Sequence, residues 1–286
     1  MPSAIIGGIR TNYDIVGDGL PLLMFSPGGF DATLDKWSTL GVYARTKIMD
    51  YLPQRYRCII FDRRGTGRSG ERVEPITWRD YADQGRGLLE HLGIGSAHLM
   101  GGCMGCCPVV AFAAAYPQVV RSMILYWPVG GAKFRIRGHG RFAAHLALVD
   151  QAGLEGVVAL VRNTDASFSQ DPRVGPWAPV IRSDPAFAAE YARTNVERYK
   201  AIVTANVNTL IDRDTAPGAT PEALMAIDIP ALIVPGKDDA HATSAARYLE
   251  ECLPRAEYWD LPPSAQTEAS VPQRLIDFLD RATEAG

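Results

Sequence analysis

Among the side chains of this protein able to form or break covalent bonds, Cys103 sits in the most telling setting. Residues 98–107 read His-Leu-Met-Gly-Gly-Cys-Met-Gly-Cys-Cys. An apolar run stops at Gly101-Gly102, and Met104-Gly105 leads into Pro108–Ala115, an apolar stretch that reads as a buried helix. The pattern is strand, sharp turn, helix, with a thiol at the apex. Such a turn crowds the residues two before and two after its apex, which suits glycine at 101 and 105. The apex then lies at a helix N-terminus, where unpaired backbone N–H groups favour an anion and lower a thiol's pKa. The chemistry implied is nucleophilic attack by a thiolate on an activated carbonyl.

Gly101-Gly102-Cys103-Met104-Gly105 resembles the Gly-x-Ser-x-Gly nucleophile elbow of α/β-hydrolases, with cysteine in place of serine. The resemblance extends along most of the chain outside a central insertion. Pro27-Gly28-Gly29, after the apolar run 21–25, resembles the loop that supplies one oxyanion-hole N–H, which implies an oxyanion hole formed by Gly29 and Met104 with Gly28 and Phe30 against the substrate. Asp62-Arg63-Arg64-Gly65-Thr66-Gly67-Arg68-Ser69 resembles the Asp-x-Arg-Gly-x-Gly-x-Ser loop of the family, whose role there is structural, so Asp62, Arg64 and Ser69 are expected to hold loops in place. Gly236-Lys237-Asp238-Asp239 resembles the Gly-x-x-Asp arrangement that carries the catalytic acid, which assigns that role to Asp239.

The pattern breaks at the general base. The family histidine follows the last strand, but this chain has Pro262-Pro263-Ser264-Ala265-Gln266-Thr267 there and no histidine beyond position 241. A neutral glutamine cannot take and return a proton near pH 7. Either another histidine serves, His241 first and His145 second, or Cys103 works as a pre-ionised thiolate without a base, or is no nucleophile at all. His91, His98 and His139 read as structural or surface residues. Cys103-x-x-Cys106 also leaves a thiol-redox protein open, and the missing histidine leaves open a non-hydrolytic, lyase-type enzyme or a small-molecule binding protein on a hydrolase scaffold.

Composition bounds the class. With 286 residues and 47% hydrophobic content the chain can bury a full core, and a net charge of −3 offers no basic or acidic concentration to suit nucleic acid. No apolar run approaches a membrane span, the first residues lack a signal-peptide pattern, and five cysteines, three of them clustered, read as reduced thiols. The expectation is a cytoplasmic protein without metal or organic cofactor, acting on a small-molecule substrate, with a homodimer compatible.

Positioning these groups requires an α/β architecture. Residues 4–16 alternate and Gly17-Asp18-Gly19 turns, consistent with an opening hairpin; 21–25 and 56–62 are apolar strands; Thr77 caps an amphipathic helix that ends at Gly93. Strands are also expected at 119–127, 230–235 and 256–261, with helices at 242–253 and 271–279. Strand–helix alternation predicts a mostly parallel sheet flanked by helices, and the resemblance implies the eight-stranded α/β-hydrolase fold, with a core at 1–127 and 229–286. Residues 128–228 lose the alternation, are interrupted by prolines, and read as an inserted helical lid. His145 and Trp177 are its candidate substrate contacts, joined by Gln266 from the core; Phe134, Phe142, Leu146, Phe168 and Tyr191 are pocket or lid-core residues.

Overall fold

The structure is a computed structural model that describes residues 1–284. Eight strands form one sheet in the order β1-β2-β4-β3-β5-β6-β7-β8: β1 Ser3–Ile6, β2 Ile9–Val16, β3 Leu20–Phe25, β4 Tyr56–Phe61, β5 Ala97–Gly102, β6 Val120–Tyr126, β7 Ala231–Val234 and β8 Ala256–Tyr258. From β4 to β8 every pairing is parallel, while β1 and β2 pair antiparallel with each other and β2 pairs antiparallel with β4. The hairpin turn therefore lies at Gly7-Gly8, where both residues have positive φ, and Gly17–Gly19 instead carries the chain from β2 to β3.

Both faces of the central strands are buried, which is why β3, β5 and β7 read as continuous apolar runs. Successive residues alternate between two cores. Leu23, Phe25, Leu99, Leu125 and Ile233 pack under the helices Trp78–His91, Cys106–Ala115 and Thr243–Cys252, and Leu22, Met24, Met100, Ile124 and Val234 pack under the helix Val271–Glu284 and the short helices of 36–51. Trp78–His91 begins in a capping box: Asp80 N–H donates to Thr77 Oγ1 (3.2 Å) and Thr77 N–H to Asp80 Oδ2 (2.8 Å).

Between β6 and β7 the chain is helical: Ala132–Arg162, Ala178–Ser183, Pro185–Arg193, Val196–Leu210 and Pro221–Met225. The first of these is long and apolar enough by length and composition to cross a membrane, so the sequence expectation that no run approaches a span needs correcting. Its backbone breaks at Gly153 (φ 65°, ψ −175°), and it buries Phe142, Val149, Leu154 and Val161 within the protein. The seam between insertion and sheet lies close to the site, since Gly130 N–H donates to the Ala240 carbonyl (3.0 Å) and Gly130 bridges His241.

Candidate active site

Cys103 stands between β5 and the helix Cys106–Ala115, with φ of 53°, a left-handed conformation that few non-glycine residues adopt. Holding it costs about 1–3 kcal/mol, which the surrounding packing must sustain. That packing is what the flanking glycines allow: a Cβ at Gly101 would lie 2.4 Å from the Gly105 carbonyl oxygen, and one at Gly105 2.2 Å from that of Phe25. The elbow is pressed against both β3 and its own helix, and the thiol is the one group it presents outward, partly exposed where Cys106 and Cys107 are buried.

On the facing loop, Asp238 organises a tight turn. Its Oδ1 accepts the N–H groups of Ala240 (2.8 Å) and His241 (3.0 Å), and both carboxylate oxygens lie 2.9 Å from His241 Nδ1, which donates to them. An Asx turn of this kind folds the chain back on itself, bringing residue 241 onto residue 238. The imidazole rests on Trp127 (ring centroids 5.3 Å apart), which φ of 56° directs out of the end of β6. The backbone at Gly236 lies close beneath both: a Cβ there would lie 2.6 Å from His241 Cβ and 3.1 Å from the indole. His241 Nε2 is buried with no well-formed hydrogen bond of its own and faces the Cys103 thiol.

The electrostatics follow from that placement. Burial alone would raise the Cys103 pKa, but the positive charge of the adjacent His241 and the N–H groups of Gly28 and Met104 bring it down to about 7. Burial opposes protonation of His241, yet the adjacent thiolate and Asp238 raise its pKa to about 10. Asp238 is held at about 2, chiefly by its hydrogen bond to His241. The arrangement favours a thiolate–imidazolium pair backed by a carboxylate, formed as the pH rises through about 7.

Several sequence expectations need correction. Asp239 points away from His241: it forms ion pairs with Lys133 (2.8 Å) and Arg137 (2.5 Å) at the start of the helix Ala132–Arg162, so it ties the insertion to this loop and does not orient the imidazole. The N–H of Gly28 is the group of this loop that helps lower the Cys103 pKa, while the Gly29 carbonyl accepts from Arg63. His145 is fully buried among the inserted helices, donating from Nδ1 to the Arg173 carbonyl (2.9 Å) and accepting at Nε2 from Tyr199 Oη (2.6 Å), which accepts in turn from Tyr191 Oη (2.7 Å). Burial lowers its pKa to about 4, so it is a neutral core residue and not a substrate contact. Gly175 (φ 76°) packs against its ring, with a Cβ there 2.4 Å from Cε1. Gly175→Ala is therefore expected to destabilise the protein by about 1–3 kcal/mol, read from urea denaturation.

Gln266 is also fully buried and spoken for. Its Nε2 donates to the carbonyls of Pro235 (2.8 Å) and Leu261 (3.0 Å), and its Oε1 accepts from the Trp127 indole N–H (2.7 Å). At the position where a base was expected, the chain has a clamp that fixes the indole under His241. Trp177 is buried, and with Phe30, Phe142, Tyr81 and Asn206 it lines a small cavity between insertion and sheet; Phe30 packs edge-on against Phe142 and Phe168. The loop at 62–69 is structural, as expected: Asp62 accepts from the N–H groups of Leu34 (2.8 Å) and Arg68 (2.9 Å), Arg64 pairs with Glu74 (2.7 Å), and Ser69 Oγ accepts from Asn12 N–H (3.0 Å).

A strand order with one antiparallel entry, an elbow after β5, a helical insertion after β6 and a polar loop after β7 define the α/β-hydrolase fold, and the chain has it. The family model described as alpha/beta hydrolase fold matches residues 21–154. Over 293 aligned residues, covering 96% of this chain and 94% of the relative, the chain is 23% identical to a proline iminopeptidase of Lactiplantibacillus plantarum. It is 42% identical to the 2-hydroxy-6-oxononadienedioate/2-hydroxy-6-oxononatrienedioate hydrolase of Burkholderia vietnamiensis over 119 residues, 41% of this chain and 39% of that one. A thermophilic esterase from Thermogutta terrifontis superposes with a TM-score of 0.64 at 20% identity, covering 99% of each chain. These three relatives are named as a peptidase, a hydrolase and an esterase.

Proposed function

We propose that this protein is a cysteine-dependent hydrolase of small activated carbonyl compounds, an ester, thioester or lactone, working through Cys103, His241 and Asp238. The observation that carries the reading is the Asp238–His241 pair, 2.9 Å apart, with the imidazole's other nitrogen turned to the elbow thiol. The Cys103 thiolate attacks the carbonyl carbon, and the carbonyl π pair moves onto oxygen, where the N–H groups of Gly28 and Met104 receive the oxyanion. As the tetrahedral adduct collapses, the bond to the leaving oxygen or sulfur breaks and His241 Nε2–H protonates it. The neutral imidazole then takes a proton from water, which attacks the thioester; the C–S bond breaks, and the acid product leaves the thiolate and imidazolium restored. Asp238 keeps the Nδ1–H tautomer throughout. Turnover of a small activated ester, abolished by Cys103→Ala, tests the reading; turnover unaffected by that substitution overturns it.

In this reading the helices of 132–225 act as a lid over the site, lined by Phe30 and Trp177. Hydrogen exchange is expected to be faster in those helices than in β5 and β7, and equal protection would instead mark the insertion as an integral part of the core.

The clamp at Gln266 carries a further prediction. Gln266→Ala leaves the indole N–H and two carbonyls buried without partners, which should cost about 2 kcal/mol or more in thermal or urea unfolding. Gln266→His is expected to destabilise as well and to give no gain in turnover, because the base lies at 241.

A further inference from the structure

Arg63 is the charge that the foregoing mechanism does not use. Its side chain is fully buried, in the loop that follows β4. Nη2 donates to the carbonyl of Gly29, and the guanidinium lies over the Tyr81 ring, 5.2 Å from its centroid. Nε and Nη1 are buried without hydrogen-bond partners, and no carboxylate among the described residues is bonded to it. Its neighbour Asp62 is committed to Leu34, Arg68 and Asn12. A buried guanidinium left this poorly paired is costly, and it is retained only where something offsets it.

The nearby groups identify the offset. Cys103, Cys106, Cys107 and Tyr81 are the groups whose negative forms act on Arg63, and of these only Cys103 ionises near neutrality. Asp238 is half exposed to solvent, so its charge is screened there, and Arg63 is the fully buried cation on the elbow side of the site. The same residue fixes the loop above the thiol. Gly28 is pinned through its carbonyl, which accepts from Asp31 N–H (2.9 Å), and Gly29 through the bond to Arg63. Both glycines have positive φ, 116° and 60°, so this loop has little side-chain packing to hold it.

We infer that Arg63 is a positioning residue for the reaction: it anchors the Gly29 carbonyl so that the Gly28 N–H stays aimed at the nucleophile and oxyanion, and its charge balances the Cys103 thiolate. The inference rests on the assignment of Cys103 as nucleophile, so its first readout needs no substrate. In Arg63→Met, the pH midpoint for iodoacetamide labelling of Cys103 should rise, by less than the rise that His241→Ala causes, because His241 is the leading influence that lowers the thiol. With a small neutral ester, kcat should fall by about 10- to 100-fold with KM little changed, because the loosened loop serves the oxyanion more than the ground state. Arg63→Lys keeps the charge without the fork, so it should hold the low midpoint while kcat still falls. A folded Arg63→Met protein with the wild-type midpoint and kcat overturns the inference. Should that variant not fold, Arg63→Lys decides: a low midpoint with reduced kcat supports it, and wild-type kcat ends it. If the wild-type protein turns over no ester, the proposed hydrolysis fails while the labelling midpoint still decides the role of Arg63.

Discussion

His241→Ala is expected to lower kcat for a small activated ester by about 10²–10⁴-fold, the range for losing a general acid–base group. The same substitution should raise the pH midpoint of Cys103 alkylation, because the imidazolium is the leading influence that lowers the thiol's pKa against its burial. The two adjacent carboxylates separate the proposed triad from its alternative. Asp238→Asn removes the acceptor for Nδ1–H and should cost about 10²-fold or more in kcat. Asp239→Asn loses only partly exposed ion pairs with Lys133 and Arg137 and should leave kcat near wild type. The reverse ranking would return the role to Asp239. An intact pair also implies a bell-shaped profile of kcat/KM: activity rises as Cys103 ionises near pH 7 and falls as His241 loses its proton near pH 10.

Cys103→Ala should bring turnover down to the uncatalysed rate of the ester, since no other thiol can replace it. Burial pushes Cys58 up to about 12, raises Cys106 and Cys107 well above the ordinary thiol value, and raises Cys252 as well. At neutral pH limiting iodoacetamide should therefore label Cys103 at least about tenfold faster than any other cysteine, the ionised fraction outweighing the lower nucleophilicity of a more acidic thiol. Peptide mapping by mass spectrometry reads the ratio, and preferential labelling of Cys58 or Cys252 would remove Cys103 from the chemistry.

The elbow was legible in the sequence because its constraint is steric. At 101 the crowding comes from the elbow itself, through Gly105 and Cys106, whereas at 105 it comes from Phe25 and Ser26 at the end of β3, and the glycine spacing records both. The sheet was legible for a related reason: strands buried on both faces are largely apolar along their length, as in residues 22–25 and Ala231–Val234. The opening hairpin shows the limit of such reading. Gly7-Gly8 and Gly17–Gly19 are equally good turn signals, and only the pairing of β2 with β4 tells which of them closes a hairpin.

At the site, the sequence by itself determined that Cys103 would be thrust out at a helix N-terminus, that histidine is missing after the last strand, and that His241 lies in a loop at the proper edge of the sheet. A signal for Asp238 was present in Asp-Asp-Ala-His, since an aspartate readily caps the N–H groups two and three residues on, but two adjacent carboxylates leave the choice open. Tertiary structure made that choice by drawing Asp239 to Lys133 and Arg137 across the seam with the inserted helix. It also gave His241 its floor, through Trp127 and the Gln266 clamp, and set Arg63 behind the nucleophile. These decisions join residues as many as 139 positions apart, and a residue's pattern of neighbours in sequence carries little information about which distant group will share its hydrogen bonds or offset its charge.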